Sequence, residues 1–168
     1  AGCYAPDMRI HQDRRFPETV DPAWRVGIVH STYYKEEIDA LAAGALEVLL
    51  EAGLKKENVT FHPAPGSFEL PLIGAALAEG GKVDAMIAFG IIVQGATHHA
   101  RLLADEVARG IMDIQVRHRV PFAFEVLFVD DLAQARERAA PGEGNKGREA
   151  AYAVLHSLAE LARIRGMR

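Results

Sequence analysis

A nearly unbroken apolar run at residues 83–93, followed by a glycine turn, constrains the fold of this chain more than any other stretch. A strand that is apolar on both sides must be covered on both faces of its sheet, which is typical of parallel sheets. Gly95 ends the run, and an amphipathic segment follows over about residues 98–117. The stretch therefore predicts a strand, a turn and a helix, with Thr97 as the helix N-cap.

Hydrophobic periodicity predicts three further strands and four further helices. The strands are predicted at residues 24–30, 59–62 and 120–128, and the helices at 34–50, 68–78, 132–139 and 145–164. Residues 63–66 are predicted to form a loop because a strand interior does not tolerate their two prolines. Asp130 is predicted to cap the helix at 132–139. The order βαβαβαβαα predicts a three-layer α/β/α sandwich with a four-stranded parallel, flavodoxin-like sheet and right-handed crossovers.

Length, charge and cysteine content limit the class of protein. The 168 residues predict a single α/β domain at 21–168 after an N-terminal tail at 1–20. The net charge of −4 argues against a general binder of nucleic acid or anionic membranes. The only cysteine, Cys3, excludes an internal disulfide and a cysteine metal cluster, which fits a reducing compartment. No apolar run reaches the length of a membrane span, and a cytoplasmic location is expected.

The carboxyl ends of parallel strands meet at one edge of a sheet, where ligands of open α/β folds bind. The turn after residue 93 leaves backbone N–H groups at the positive end of a helix, which suits an anion. His98 and His99 lie in the first turn of that helix, and a protonatable side chain beside an anion suits acid–base chemistry. Most turns of this kind bind nothing, so the turn alone leaves a binding site and a plain helix start both open.

Two further segments at that edge carry candidate binding chemistry, and each has a plainer alternative. The turn at 65–69 offers backbone N–H groups, the ring of Phe68 and the carboxylate of Glu69, which suit a planar heterocycle with a polyol tail. The alternative is a proline-rich turn whose Glu69 only stabilises a helix N-terminus. Arg138 and the glycine turn at 144–147 offer cations for a phosphate; the alternative is helix-end charge beside a glycine turn.

No metal site is expected at the histidine pair. Adjacent residues do not face one side of a helix, and Arg101 would repel a cation. The sequence also lacks a Walker-type phosphate loop and the G-x-G-x-x-G fingerprint of dinucleotide-binding folds.

Three short motifs resemble those of the lumazine synthase family in order and in spacing. They are Pro-Gly-Ser-Phe-Glu-Leu-Pro at 65–71, Gly-Ala-Thr-His-His at 95–99, and Glu-Arg-Ala at 137–139 with Gly-Asn-Lys-Gly at 144–147. The resemblance runs from about residue 24 to 164. It implies a transferase of riboflavin biosynthesis that condenses 5-amino-6-(D-ribitylamino)uracil with 3,4-dihydroxy-2-butanone 4-phosphate to 6,7-dimethyl-8-ribityllumazine. It implies no metal and no redox cofactor.

The resemblance also implies the site residues. His99 matches the catalytic histidine, Ala96 and Thr97 the phosphate turn, and Arg138 the arginine that pairs with the phosphate. The other matches are Tyr33, which stacks on the ring; Ser67, Phe68 and Glu69, along the ribityl chain; Ile91, Ile92 and Val93, the wall of the pyrimidine pocket; and Phe124, supplied by an adjacent subunit.

Some positions depart from the family pattern. Thr32 and Tyr34 flank Tyr33 where an arginine and an asparagine are common, and Gln94 replaces a frequent arginine. Arg101 stands where an acid is usual, and the family acid matched by Glu106 is a candidate replacement. Two alternatives to the synthase stay open: a shell or scaffold protein with weak or no activity, and a riboflavin synthase of archaeal type.

The resemblance implies a homo-oligomer of pentamers with sites between neighbouring subunits. The resemblance favours the sixty-subunit icosahedral shell over free pentamers or decamers, because the turn at 139–144 is short and matches the length in shell-forming members. The segment around 16–20 is predicted to add a strand to a neighbouring sheet, because exposed edges are usually covered. The expected partners are the two small-molecule substrates and further copies of the chain, with riboflavin synthase as a candidate; no nucleic acid and no membrane are expected.

Overall fold

The computed structural model describes residues 14–167; residues 1–13, which include Cys3, and Arg168 lie outside the described part. Strands and helices alternate in the predicted order. The strands are β1 (Val26–Ser31), β2 (Val59–Ala64), β3 (Ala85–Val93) and β4 (Phe122–Val129). The helices are α1 (Lys35–Glu51), α2 (Leu70–Glu79), α3 (His99–His118), α4 (Leu132–Ala139) and α5 (Lys146–Gly166), with short 3₁₀ turns at Lys56–Asn58 and Ser67–Glu69.

All four strands are parallel and form one sheet in the order β2-β1-β3-β4. Val26 lies opposite Val59 on one side and Ala85 on the other, and Met86 lies opposite Phe122. Helices α1, α4 and α5 cover one face, and α2 and α3 cover the other. The predicted three-layer, flavodoxin-like sandwich is therefore confirmed.

Strand β3 runs through the centre of both cores. Ile87 and Phe89 pack with α1 and α5, whereas Met86 and Ala88 pack with α2 and α3, and all four are fully buried. Burying one large apolar side chain stabilises a fold by roughly 1.5–3 kcal/mol. The apolar run thus holds the two helical layers onto one sheet.

The predicted loop at residues 63–66 is wrong at its first two positions, which belong to β2. The carbonyl oxygen of Ala64 accepts a hydrogen bond from Thr32 N at 3.1 Å, so the backbone groups of Ala64 face β1. Backbone groups alternate in direction along a strand, so those of Pro63 face the open edge. A proline is tolerated there because the N–H that it lacks has no strand to bind.

Two predicted helix caps and one helix start differ from the structure. Helix α3 begins at His99 after His98 rather than Thr97, although Thr97 Oγ1 accepts a 3.4 Å hydrogen bond from His99 N. Helix α4 is capped by Asp131 rather than Asp130, through a 3.0 Å bond from Gln134 N. Helix α2 starts at Leu70, because residues 67–69 form a tighter 3₁₀ turn.

The described part of the N-terminal tail lies on α5 of its own chain. The ring of Phe16 packs on that of Tyr152 with centroids 5.5 Å apart, and a ring nitrogen of His156 lies 2.8 Å from the Arg15 carbonyl oxygen. Arg14 forms a 2.6 Å ion pair with Glu143. Strand addition by residues 16–20 to a neighbouring sheet stays a prediction. No helix within residues 14–167 is both long and apolar enough to span a membrane.

Candidate functional site

The sheet creates a crevice where the chain leaves β1 and β3 in opposite directions. After Ser31 the chain passes to α1 on one face, and after Val93 it passes to α3 on the other. Adjacent strands whose connections diverge leave a gap at their carboxyl ends, the usual ligand position in folds of this type. The turns that follow β1, β2 and β3 all border this edge.

Tyr33 and Glu69 converge on Gly66. A Cβ atom at Gly66 would lie 3.7 Å from Cε2 of Tyr33 and 3.2 Å from a carboxylate oxygen of Glu69. Thr32 ties the two turns together through a 3.0 Å hydrogen bond from its hydroxyl to the carbonyl oxygen of Pro65. The tyrosine ring, which is 65% exposed, and the carboxylate therefore stand together at the crevice.

The backbone turns sharply directly after that ring. Tyr34 has a positive φ of 54° at the N-cap position of α1. A left-handed conformation costs a residue with a side chain roughly 1 kcal/mol or more. Such outliers cluster at ligand sites, where the surrounding structure holds them in place.

Ser67 and Phe68 extend this group toward β3. Ser67 is 7% exposed, and a Cβ at Gly90 would lie 2.6 Å from its hydroxyl oxygen, so only glycine leaves room for it. Phe68 is 64% exposed and remains available to a ligand. Further along β3, Ile91 and Ile92 are buried on opposite faces, and Val93 is half-buried. Of these three, only Val93 is partly exposed, and a pocket wall made by Ile91 and Ile92 stays a prediction.

The turn between β3 and α3 presents unpaired N–H groups at the same edge. Within residues 14–167, the backbone N–H groups of Ala96 and His98 have no hydrogen-bond acceptor. Residues 95–99 are exposed. Helix α3 adds the positive end of its dipole, so the turn has the features that an anion requires.

The two histidines are exposed and free to meet a ligand. Neither the His98 nor the His99 imidazole has a hydrogen-bond partner in the described part of the chain. Arg101 forms a 3.0 Å ion pair with Asp105 along α3. Glu106, the predicted replacement for a neighbouring acid, pairs with Arg109 instead of His99. Within the described residues, Glu106 therefore makes no contact that would orient the imidazole of His99.

Arg138 and Phe124 form no hydrogen bond or ion pair with this group within residues 14–167. Arg138 is near the end of α4, where its guanidinium donates a 2.9 Å bond to the Gln134 carbonyl oxygen. No hydrogen bond or ion pair within residues 14–167 joins it to the turn at 95–99. Phe124 is 44% exposed and precedes the end of β4 at Val129 by a stretch of about 16 Å at 3.3 Å per residue. Phe124 is thus distant from the carboxyl end of its own strand, and Arg138 is bonded to its own helix.

The glycine turn after Arg138 has a structural role. Asn145, only 1% exposed, accepts from Gly147 N at 2.8 Å and donates to the Ala139 carbonyl oxygen at 2.7 Å. A Cβ at Gly147 would lie 1.9 Å from the carbonyl oxygen of Leu41, so α5 begins in close contact with α1. Lys146 pairs with Glu149 at 2.6 Å. The alternative of a helix start beside a glycine turn describes this segment well.

Glu125 is a titratable group that sequence reasoning missed. It lies in β4, half-buried, on the side of α5 that carries Lys146 and Glu149. Burial raises the pKa of its carboxyl to about 8; the ammonium of Lys146 opposes the shift and the carboxylate of Glu149 adds to it. The sequence signal for it was a single carboxylate in an otherwise apolar strand. It was missed because alternating strands usually place such a carboxylate in solvent.

The fold and the site define a flavodoxin-like α/β protein that presents an aromatic and acidic crevice, a turn with unpaired N–H groups and an exposed histidine at one sheet edge. The family model of 6,7-dimethyl-8-ribityllumazine synthase matches residues 23–162. A 6,7-dimethyl-8-ribityllumazine synthase of Desulfovibrio desulfuricans is 39% identical over 134 residues, 80% of this chain and 86% of the relative. One of Aquifex aeolicus is 38% identical over 148 residues, 88% of this chain and 94% of the relative. The chain belongs to the lumazine synthase family, as its three motifs predicted.

Proposed function

We propose that the protein is a transferase that condenses 5-amino-6-(D-ribitylamino)uracil with 3,4-dihydroxy-2-butanone 4-phosphate to 6,7-dimethyl-8-ribityllumazine, with release of phosphate and water. This is the penultimate step of riboflavin biosynthesis. The observation that carries the proposal is the grouping of Tyr33, Glu69 and the turn at residues 94–98, which we call the anion turn, at one sheet edge. The family model spans residues 23–162 of the same chain.

The site residues suit the two substrates. We assign the turn at Ala96 and Thr97 to the phosphate, because free N–H groups at a helix start bind anions. Tyr33 offers an exposed ring for stacking on the pyrimidine, against the proposed wall of Ile91, Ile92 and Val93. Ser67, Phe68 and Glu69 offer a hydroxyl, a ring edge and a carboxylate to the ribityl chain.

His99 is the proposed acid–base group. Imine formation, phosphate loss, ring closure and dehydration all require protons to move, and an imidazole both accepts and donates protons near neutral pH. The His99 ring has no internal partner in the described part of the chain, so it is free to reach a ligand held by the adjacent turn.

We propose that Arg138 and Phe124 serve the site of a neighbouring subunit. Arg138 has no bond to the turn at 95–99 of its own chain within residues 14–167, Phe124 precedes the carboxyl end of β4 by five residues, and β4 is an edge strand. The exposed apolar side chains along β4 and α3 that a neighbour would cover are Leu102, Met112, Val116, Phe124 and Phe128. Exposed apolar patches of this kind mark protein–protein contacts.

The proposed assembly is a pentamer, and the short turn after α4 favours closure of pentamers into a sixty-subunit shell. Light scattering measures this directly: a particle of ~90 kDa, five copies of the 18.3 kDa chain, would exclude the shell. A stable and fully active monomer would exclude the shared site as well. A cytoplasmic location and riboflavin synthase as a partner stay part of the proposal.

The two alternatives make different demands on the chain. A scaffold without activity needs neither His99 nor the Tyr33–Glu69 group, and both are present at the crevice. The matching family model is that of the lumazine synthase, which favours it over a riboflavin synthase of archaeal type.

The test is to mix the purified protein with the two substrates and follow the absorbance and fluorescence of the lumazine. We expect formation well above the rate without protein. Incubation of the protein with 6,7-dimethyl-8-ribityllumazine in place of the two substrates tests the riboflavin synthase alternative, which predicts formation of riboflavin. Lumazine formation at the background rate only, in a correctly assembled protein, would overturn the proposed function in favour of the scaffold.

A further inference from the structure

The side chain of Gln94 is bound to the backbone of the anion turn. Its amide nitrogen donates to the carbonyl oxygen of Gly95 at 2.8 Å and to that of Thr97 at 3.2 Å. The backbone N–H of Gln94 itself donates to the Val129 carbonyl oxygen at 2.7 Å, which extends the β3–β4 pairing by one residue. The backbone of Gln94 is therefore held by the sheet, and its side chain is bonded to the turn that follows.

These two bonds fix the direction of the N–H groups that an anion would use. In a planar trans peptide the C=O and the N–H of the same unit point in opposite directions. The carbonyl of Gly95 shares its peptide with Ala96 N–H, and the carbonyl of Thr97 shares its peptide with His98 N–H. When Gln94 draws both carbonyls toward itself, it turns both N–H groups outward, and neither has an acceptor among residues 14–167. The N–H groups of Gly95 and Thr97 also lack an acceptor there, but no contact of Gln94 sets their direction.

We propose that Gln94 is a positioning residue that orients the Ala96 and His98 N–H groups toward the phosphate of the butanone substrate. This inference rests on the proposed function, because it concerns the substrate of that site. Gln94 carries no charge, so its contribution is the direction of two backbone dipoles and not an attraction of its own. Without it, the exposed turn at 95–99 has many backbone orientations to choose from, and fixing them on binding costs conformational entropy.

The chain offers a matched pair of variants. Gln94→Met keeps the length of the side chain but removes both donors. Gln115→Met makes the same substitution at the other end of the sheet, where the side-chain oxygen Oε1 of Gln115 accepts a 2.9 Å bond from Phe122 N. Both lose a side-chain-to-backbone contact, but only the first loses one at the anion turn.

We expect Gln94→Met to raise the KM for the butanone phosphate about tenfold, the scale of one lost charge-assisted hydrogen bond. The KM for the pyrimidine and kcat should stay within twofold. Gln115→Met should leave both KM values unchanged, even if it lowers the unfolding temperature. Gln94→Lys restores a donor and should bring the KM back to that of the unaltered chain or below.

A binding measurement separates this inference from the proposed function. Titration with inorganic phosphate should show weaker binding to Gln94→Met than to the unaltered chain, with no catalysis involved. If the unaltered chain makes lumazine but Gln94→Met has the same KM for the phosphate substrate, Gln94 has no positioning role and the proposed function stands. A parallel rise in both KM values would assign Gln94 a merely structural role. If the unaltered chain makes no lumazine, the proposed function fails first.

Discussion

The side-chain amide of Asn145, at the start of α5, donates a 2.7 Å hydrogen bond to the carbonyl oxygen of Ala139, at the end of α4. Ala139 directly follows Arg138. The same amide donates to the Ala40 carbonyl oxygen of α1 at 3.2 Å. A single buried side chain thus fixes the end of α4, and with it the place from which Arg138 extends.

Asn145→Ala should lower the free energy of unfolding by about 3 kcal/mol. The change removes an N-cap, worth about 1 kcal/mol, leaves the buried Ala139 carbonyl oxygen without this donor, and removes a second bond to the part-buried Ala40 carbonyl oxygen. Urea unfolding at matched protein concentration measures the loss. Asn58→Ala, which removes a bond to the exposed Pro22 carbonyl, is the control and should cost under about 1 kcal/mol. Equal losses of stability in the two variants would contradict the role of Asn145 in joining α5 to α4 and α1.

His99→Ala should lower kcat by up to about 10²-fold, because a positioned proton-transfer group contributes about that much. Substrate positioning by the rest of the crevice should persist, so the KM values should change little. His98→Ala, on the adjacent residue, is the control and should keep most of the activity. A slower His98→Ala with a normal His99→Ala would reverse the assignment of the pair.

Arg138→Ala should raise the KM for the butanone phosphate much more than the KM for the pyrimidine, because an arginine binds phosphate through charge-assisted hydrogen bonds. Arg165→Ala is the matched control: Arg165 also donates to a carbonyl oxygen, that of Arg119, but at the end of α5. Steady-state kinetics with each substrate varied in turn measures the difference. Equal rises for both substrates would remove Arg138 from the phosphate site.

Mixed assemblies test whether His99 and Arg138 of one site come from different chains. Co-refolding His99→Ala with Arg138→Ala should restore complete sites in about one quarter of the interfaces of a randomly mixed ring. Activity should then exceed that of either variant alone. Mixing His99→Ala with the double variant is the control and should restore nothing. No recovery in the first mixture, in particles of normal size, would place both residues in the same chain's site.

Glu125 should make stability depend on pH. Its folded pKa of about 8 lies above the ordinary 4.5, so the folded state holds a proton that the unfolded chain releases between these values. Stability therefore falls as pH rises from about 5 to 8, by up to about 1.4 kcal/mol for each pKa unit of difference. Glu125→Gln stays neutral and should be more stable than the unaltered chain at pH 8, with a smaller difference at pH 5. Thermal unfolding at both values measures this, with the exposed Glu57→Gln as the control; identical profiles would contradict the buried carboxyl.

The layer architecture followed from the sequence because the apolar period of each element is local information. The run now seen as β3 has no polar face to place in solvent, so a sheet covered on both sides was the only arrangement available to it. Pro63 was misassigned because its effect depends on whether β2 is central or at an edge, which no local pattern reveals. The choice between Asp130 and Asp131 as a cap likewise depends on backbone angles that two adjacent aspartates do not distinguish.

The residues of the candidate site likewise fall into those that the sequence placed correctly at the sheet edge and those whose position it did not predict. The motifs placed Tyr33, the 65–69 turn and the 95–99 turn at a common edge because parallel strands all end there. The resemblance named Phe124 and Arg138, but within one chain Phe124 lies well before the end of β4 and Arg138 bonds to its own helix rather than to the turn at 95–99. Gln94 was noted only as a departure from the family, since its role depends on the direction of two carbonyl groups and not on residue type.

If Phe124, about 16 Å along β4 from the crevice of its own chain, completes the site of a neighbouring subunit as proposed, reaction rate depends on the amount of enzyme present. A site that needs the Phe124 side chain of a neighbouring subunit exists only while that subunit is bound. Below the dissociation constant of the pentamer, turnover per subunit would fall with dilution and recover on concentration. In a cell, the number of active sites would then rise in proportion to synthesis only after the subunit concentration is high enough for assembly.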